Sequence, residues 1–201
     1  MSTLTGVGSI QAKGGYAASS HSGGGGGRIA VHASDWSGFA LTNIAAPGST
    51  GSSPGGAGTV YLQDTDEPKG MLVIDAGNSG VGTTPLGLPG SNTFTVPADL
   101  VIRGSSTRVR PASDGMALHF SGGLRIEKGA QLQSVGLLTW QGPLLVDGST
   151  LMADRVEGAE LVLTNGGLLT CTNSTTNQMH KLEVNVTGSI IVTTKSRIDV
   201  S

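Results

Sequence analysis

Three carboxylates crowd together where a candidate strand ends. Asp64, Asp66 and Glu67 lie within four residues and follow the apolar run Val60–Leu62. Oxygen-rich loops of this kind bind calcium, so the sequence offers these residues as the candidate metal site and calcium as the candidate ion. The alternative is a plain solvated turn. Pro68 favours such a turn, and no glycine-bearing calcium repeat accompanies the acidic residues.

Aromatic and basic side chains suggest a second kind of chemistry, recognition of a glycan. Trp36 stands beside Asp35 in a turn-like stretch, and exposed indole rings pack well against the apolar faces of sugars. Arg108 and Arg110 share one face of an extended strand and could neutralise acidic sugars. These four residues are the candidate glycan-binding set. The alternatives are a tryptophan that closes a corner of the core and an arginine face that is merely solvated; the second tryptophan, Trp140, faces the same choice.

Catalytic patterns are missing from the sequence. The four histidines, at positions 21, 32, 119 and 180, have no zinc-ligand spacing. No serine sits in a nucleophile motif between a strand and a helix. A polysaccharide lyase would place further aspartates near the arginines, and only the isolated Asp99 and Asp114 are available. We therefore predict no catalytic residue, and the sequence leans against an enzyme.

Composition excludes several classes of protein. The chain has 201 residues, of which 33 are glycine, and only 13% are charged, against roughly 25% in an average protein. The net charge is −2, so nothing in the overall electrostatics favours nucleic acid. No apolar run approaches the length that spans a membrane. Gly, Ser, Thr and Val dominate in place of the good helix formers, which favours β-structure.

A recurring sequence motif predicts how these residues are positioned. Leucine, one residue, an aliphatic residue and a nearby glycine recur at spacings of 24, 20, 17 and 21 residues. Copies of this motif begin at Leu100, Leu124, Leu144, Leu161 and Leu182. Each one alternates like a short strand followed by a corner. One such coil cannot bury its own apolar face, whereas a stack of coils can.

The predicted fold is therefore all-β, a right-handed single-stranded parallel β-helix, or β-solenoid, with glycine-rich lateral loops. Its interior should contain an aliphatic ladder of one residue per coil. The ladder is predicted to comprise Ile102, Ile126, Val146, Leu163 and Val184. The alternative is a β-sandwich, since Asp114-Gly115, Asp147-Gly148 and Asn165-Gly166 could form hairpin turns.

The first part of the chain repeats more loosely. Gly26–Val31 recurs 31 residues later as Ala57–Leu62, each copy after a Gly/Ser-rich loop. We divide the chain into looser coils over residues 1–76, a Gly/Pro-rich excursion over 77–92, and regular coils over 93–201 that continue the first part.

These residues carry a resemblance to known proteins. The segments Ser9–Ala12, Gly23–Val31, Gly55–Leu62 and Gly188–Ser201 are similar to units of very large, repetitive bacterial secreted or cell-surface proteins. The chain thus resembles adhesins and autotransporter passengers with β-helical stalks. The resemblance implies an extracellular or cell-surface location and a structural or adhesive segment without catalysis. It defines no site residues.

Two further expectations concern partners. A glycan or another cell-surface ligand is the expected partner, and a carbohydrate-active or glycan-binding β-helix, such as a lyase or depolymerase, is the alternative function. A solenoid also exposes backbone at its terminal coils, and bare strand edges template association. We therefore expect end-to-end self-association through the terminal coil that contains Ile198 and Val200.

Overall fold

The chain is all-β. The computed structural model describes residues 2–16, 21–77, 79 and 81–200, and within these it contains nineteen strands, one short 3-10 turn at Leu41–Asn43 and no α-helix. Parts of the Gly/Ser-rich loop predicted before the first copy of the 31-residue repeat, and of the excursion predicted at 77–92, lie outside the described residues, as does Ser201.

Two of the strands are long, with 17 and 15 residues, and each of the others has six residues or fewer. The first nine are β1 (Thr3–Gly6), β2 (Ile10–Gln11), β3 (Arg28–Ala33), β4 (Asp35–Phe39), β5 (Ile44–Ala45), β6 (Thr59–Asp64), β7 (Met71–Asp75), β8 (Thr83–Leu86) and β9 (Thr93–Val96). The others are β10 (Asp99–Arg103), β11 (Arg108–Pro111), β12 (Ala117–Phe120), β13 (Leu124–Glu127), β14 (Gln131–Asp147), β15 (Thr150–Thr164), β16 (Leu168–Thr170), β17 (Glu183–Val186), β18 (Ile190–Val192) and β19 (Arg197–Ile198).

From β7 onward the strands pair in three columns, each made of parallel neighbours in register. The first column runs through Leu72, Leu100, Leu124, Leu144, Leu161 and Ile190. The second runs through Thr83, Arg108, Gln131, Thr150, Leu168 and Arg197. The third runs through Phe94, Leu118, Leu138, Val156 and Val184. Strands β14 and β15 bend through all three columns, and their register shifts where they turn.

Most of the predicted ladder is confirmed. Ile102 pairs with Ile126, Ile126 with Val146, and Val146 with Leu163, and all four side chains are fully buried. The prediction for Val184 is wrong, because Val184 lies in the third column opposite Val156. The ladder continues instead to Val192. The loop between β16 and β17 lengthens the last repeat. The copy of the motif that begins at Leu182 therefore lies in the third column and not in the first.

Parallel pairing dominates the described strands, and this argues against the sandwich alternative. The strands on either side of Asp114-Gly115, Asp147-Gly148 and Asn165-Gly166 do not form hairpins with each other. Among the strands that the structure describes, the single antiparallel pair is β6 with β7, in which Val60 lies opposite Val73. Strand direction therefore reverses at residues 65–70, and the large sheet is mixed.

The N-terminal region packs largely through its backbone. Strands β3 and β6 pair in parallel with Ile29 opposite Val60, the offset of 31 residues at which the sequence repeats. Beside them the glycine-rich segments lie in direct contact: a Cβ added to Gly26 would come within 2.0 Å of the Ala46 carbonyl oxygen. Only glycine permits such an approach. The run Gly23–Gly27 is therefore a packing element.

Two buried clusters form the interior. The larger one lies between the three columns and includes Leu100, Leu118, Leu132 and the indole of Trp140. The smaller one lies between the N-terminal segments and the outer surface of the sheet, where Ile44 meets Val60, Val73 and Val101. The first column is thus buried on both faces at its start and on the inner face alone further along.

Candidate functional site

The outer surface of the first column carries a long groove. Side chains alternate along each strand, so one residue per strand projects outward from the middle of the column. These outward residues are Val73, Val101, Arg125, Leu145, Val162 and Ile191, each in register with the next. This row of outward residues is therefore aliphatic except for one arginine, Arg125.

A notch deepens the groove beside this row. A second row of outward positions lies two residues earlier on each strand and contains Met71, Asp99, Gly123, Pro143 and Glu160. Gly123 has no side chain, and this leaves the notch open. The resulting cavity measures about 400 Å³ and is bordered by Leu145 and Val162. A Cβ at Gly123 would meet its nearest neighbour at 3.4 Å, an ordinary contact, so the notch could accept a larger side chain.

The groove continues toward the N-terminal strands. A shallower depression of about 200 Å³ shares Met71 and Asp99 with the notch and is also lined by Trp36, Asp64 and Glu67. Together these two depressions form what we call the outer groove. The fold thus brings Trp36, one of the glycan candidates, next to two of the three carboxylates proposed for calcium.

Charge along the outer groove is mainly negative. Asp64, Glu67, Asp99 and Glu160 line it, with two cations, Lys69 and Arg125. Both cations have partners: the Lys69 Nζ donates to the Ser121 carbonyl at 2.8 Å, and Arg125 pairs with Glu127 at 2.8 Å. Asp99 accepts a hydrogen bond from the Gly123 amide at 2.7 Å.

The acidic turn at residues 64–67 is built by hydrogen bonds between its own residues. Asp64 Oδ1 accepts from the Asp66 amide at 2.9 Å, and the Asp64 carbonyl accepts from the Glu67 amide at 3.1 Å. This turn links the antiparallel strands β6 and β7. Among the described residues no three His, Cys, Asp or Glu side chains lie close enough together to hold a metal ion.

Asp35 has a local partner that favours its charged form. The hydroxyl of Ser37, and then its amide, donate to the Asp35 carboxylate, which lowers the pKa of that carboxyl below its ordinary value. The Trp36 ring packs in part against the smaller buried cluster, which leaves the remainder facing the outer groove.

The two predicted arginines lie elsewhere. Arg108 and Arg110 are on the second column, where Arg108 donates to the Ser105 and Thr107 carbonyls at 3.0 and 3.2 Å. Arg110 borders a small depression with Asp114 and Gln133. The structure therefore does not bring the arginines to Trp36, and the four glycan candidates do not form one site.

One polar cluster escaped the sequence analysis. The His180 Nδ1 is hydrogen-bonded to the Asp154 Oδ2, and the Asp154 Oδ1 accepts from the Thr172 amide at 3.0 Å. Ser174 is close by, but its hydroxyl accepts from the His180 amide at 2.8 Å and donates to the His180 carbonyl. The hydroxyl is thus engaged with backbone, which is the wrong arrangement for a nucleophile activated by the ring. The cluster fastens the loop at residues 171–182.

Comparisons with protein-family models, with curated proteins and with solved structures find no match for this chain. Within the part of the chain that the structure describes, no helix has the length and apolar character needed to cross a membrane.

Proposed function

We propose that this chain is a right-handed single-stranded parallel β-helix that serves as a structural or adhesive, non-catalytic segment of a large extracellular or cell-surface protein. The observation that carries the proposal is the in-register parallel pairing of three successive columns, repeated from β7 to β19. A chain that returns to the same column after each circuit builds a rod whose length grows with the number of repeats. Right-handed crossovers are the norm for parallel strands.

The composition of the surface supports a structural role. The side chains with catalytic potential are dispersed: Arg108 and Arg110 lie on the second column, while Asp99 and Glu160 lie on the first. The Asp154–His180 pair is occupied in holding a loop. The location outside the cell rests on the resemblance of the glycine-rich repeats to those of secreted bacterial proteins.

A glycan-binding role is the second candidate, and one observation favours it. Trp36 borders the outer groove beside Asp64 and Glu67, so an indole surface and hydrogen-bonding carboxylates face the same space. A lyase acting on acidic sugars fits less well, because the carboxylates of the groove would repel uronates.

A glycan array read together with an assay for new reducing ends or unsaturated products tests both candidates. A structural segment gives no product from any polysaccharide. Release of product would overturn the non-catalytic proposal. Binding without product, abolished by Trp36→Ala, would support the glycan-binding role.

A further inference from the structure

The outer surface of the first column is covered by polypeptide at its start. Val73 and Val101 project outward there and are only 7% and 6% exposed, because they belong to the smaller buried cluster, to which Ile44 of the N-terminal segment also contributes. A polypeptide segment that contributes aliphatic side chains is thus already an occupant of this surface within the molecule.

The same aliphatic row continues without a cover. Leu145 and Val162 are half-buried and belong to neither interior cluster, and Ile191 is 45% exposed. Pro143 and Met71 extend the apolar surface around the notch at Gly123. Uncovered surface of this composition gains free energy when an apolar partner removes it from water.

The rim of the groove adds a preference for positive charge. Four carboxylates face two cations there, and Arg125 is already balanced by Glu127. A cationic partner is therefore attracted and an anionic one repelled.

We propose that the outer groove binds an extended polypeptide segment in which aliphatic side chains alternate with lysine or arginine. The aliphatic residues lie on Leu145 and Val162, as Ile44 lies against the start of the column, and the basic residues approach Glu160 and Asp99. The aliphatic floor favours a peptide over a glycan, because a sugar ring needs more free hydrogen-bonding groups than this floor offers. This binding does not depend on the structural role proposed above.

A seven-residue synthetic peptide that alternates lysine with valine or leucine is the probe, measured by calorimetry against the whole chain. The matched controls are the same peptide with glutamate in place of lysine and a glucosamine hexamer. We expect the lysine peptide alone to bind, and we expect its affinity to fall as sodium chloride is raised from about 0.02 to about 0.5 M, since salt screens the rim charges.

Two variants locate the site. Gly123→Leu fills the notch and should weaken binding by about tenfold or more through overlap with the ligand. Glu160→Gln removes one rim charge and should weaken binding about three- to fivefold at low salt. Gln133→Leu places the same new side chain on the second column and should leave the affinity unchanged. Circular dichroism and the melting temperature verify that each variant is folded, and Leu145→Ser replaces Gly123→Leu if the latter unfolds.

Each other result overturns the proposal. Preference for the glucosamine hexamer would assign the groove to a glycan. Equal binding of the glutamate peptide would remove the electrostatic argument. Affinity unchanged in Gly123→Leu and in Leu145→Ser would place the peptide elsewhere, and absence of binding by the lysine peptide would leave the groove without this partner.

Discussion

The indole of Trp140 lies directly against the backbone of Gly158, its partner in the parallel ladder. A Cβ added at Gly158 would come within 2.2 Å of the Trp140 Cε2 atom. Trp140 is 3% exposed, and its Nε1 donates to the Glu160 carbonyl at 2.8 Å. This tryptophan is therefore part of the core, and glycine at 158 is a requirement of its packing.

Substitution of Gly158 tests this contact. Gly158→Ala should lower the free energy of unfolding by about 1–3 kcal/mol, since the new methyl group forces the indole or the strand to move. Gly123→Ala is the matched control, because its Cβ has room, and its stability should change by less than about 1 kcal/mol. Chemical denaturation measures both. Equal effects would contradict the packing described here.

The aliphatic ladder predicts a difference between adjacent residues of one strand. Val146→Asp buries a carboxylate between Ile126 and Leu163 and should cost about 5 kcal/mol or more, which is the whole free energy of unfolding of a marginally stable domain. Leu145→Asp, one residue earlier, faces the outer groove and should remain folded. Circular dichroism and thermal melting compare the two; a folded Val146→Asp protein would show that the assignment of inner and outer faces is wrong.

The Asp154 carboxylate should keep the loop at residues 171–182 from opening. Asp154→Ala leaves the Thr172 amide and the His180 ring without their partner, which costs about 1–3 kcal/mol locally. Cys171, buried at the start of this loop, is the single cysteine of the chain and reports opening through its reaction with a disulfide reagent. We expect faster reaction in Asp154→Ala and no change in Asp114→Ala, an exposed control. Equal rates in the two variants would show that the loop is held by other contacts.

Asp35 should titrate below an ordinary aspartate. Because its folded pKa is lowered, the stabilisation is complete above the unfolded pKa and is lost as the pH falls through the folded pKa. Ser37→Ala removes the hydroxyl donor, which has the largest effect, and should raise the pKa of Asp35. Carboxyl chemical shifts followed by NMR from about pH 2 to pH 6 measure this; an unchanged midpoint in the variant would assign the shift to another cause.

The last strands should mediate weak association. Among the described residues β17 and β18 pair only with β15, and β19 only with β16, and Ile190, Val192 and Ile198 are 41–46% exposed. Exposed aliphatic residues on unpaired edges favour contact with another copy. Light scattering should show growth with concentration, which Ile190→Lys should suppress and Val135→Lys should not. A monomer at millimolar concentration would contradict this expectation.

Local pattern was sufficient for much of the fold. Alternating aliphatic residues near corner glycines identified β-strands, and the inward positions Ile102, Ile126, Val146 and Leu163 followed from that alternation. The 31-residue repeat likewise placed β3 beside β6. Such features are readable because strand alternation has a period of two residues and one face of each strand must be buried.

Tertiary structure alone decided which strand lies beside which. Val184 has the same alternating neighbours as Leu163, yet the length of the preceding loop puts it opposite Val156. The reversal between β6 and β7 carries Trp36, Asp64 and Glu67 to the edge of the outer groove and leaves Arg108 and Arg110 on another column. The pairing of Asp154 with His180 likewise joins residues from different repeats. The alternation of residues in a short strand shows which side chains point inward, but it does not show the path of the connecting loops. The path of these loops determines which residues come together on the surface.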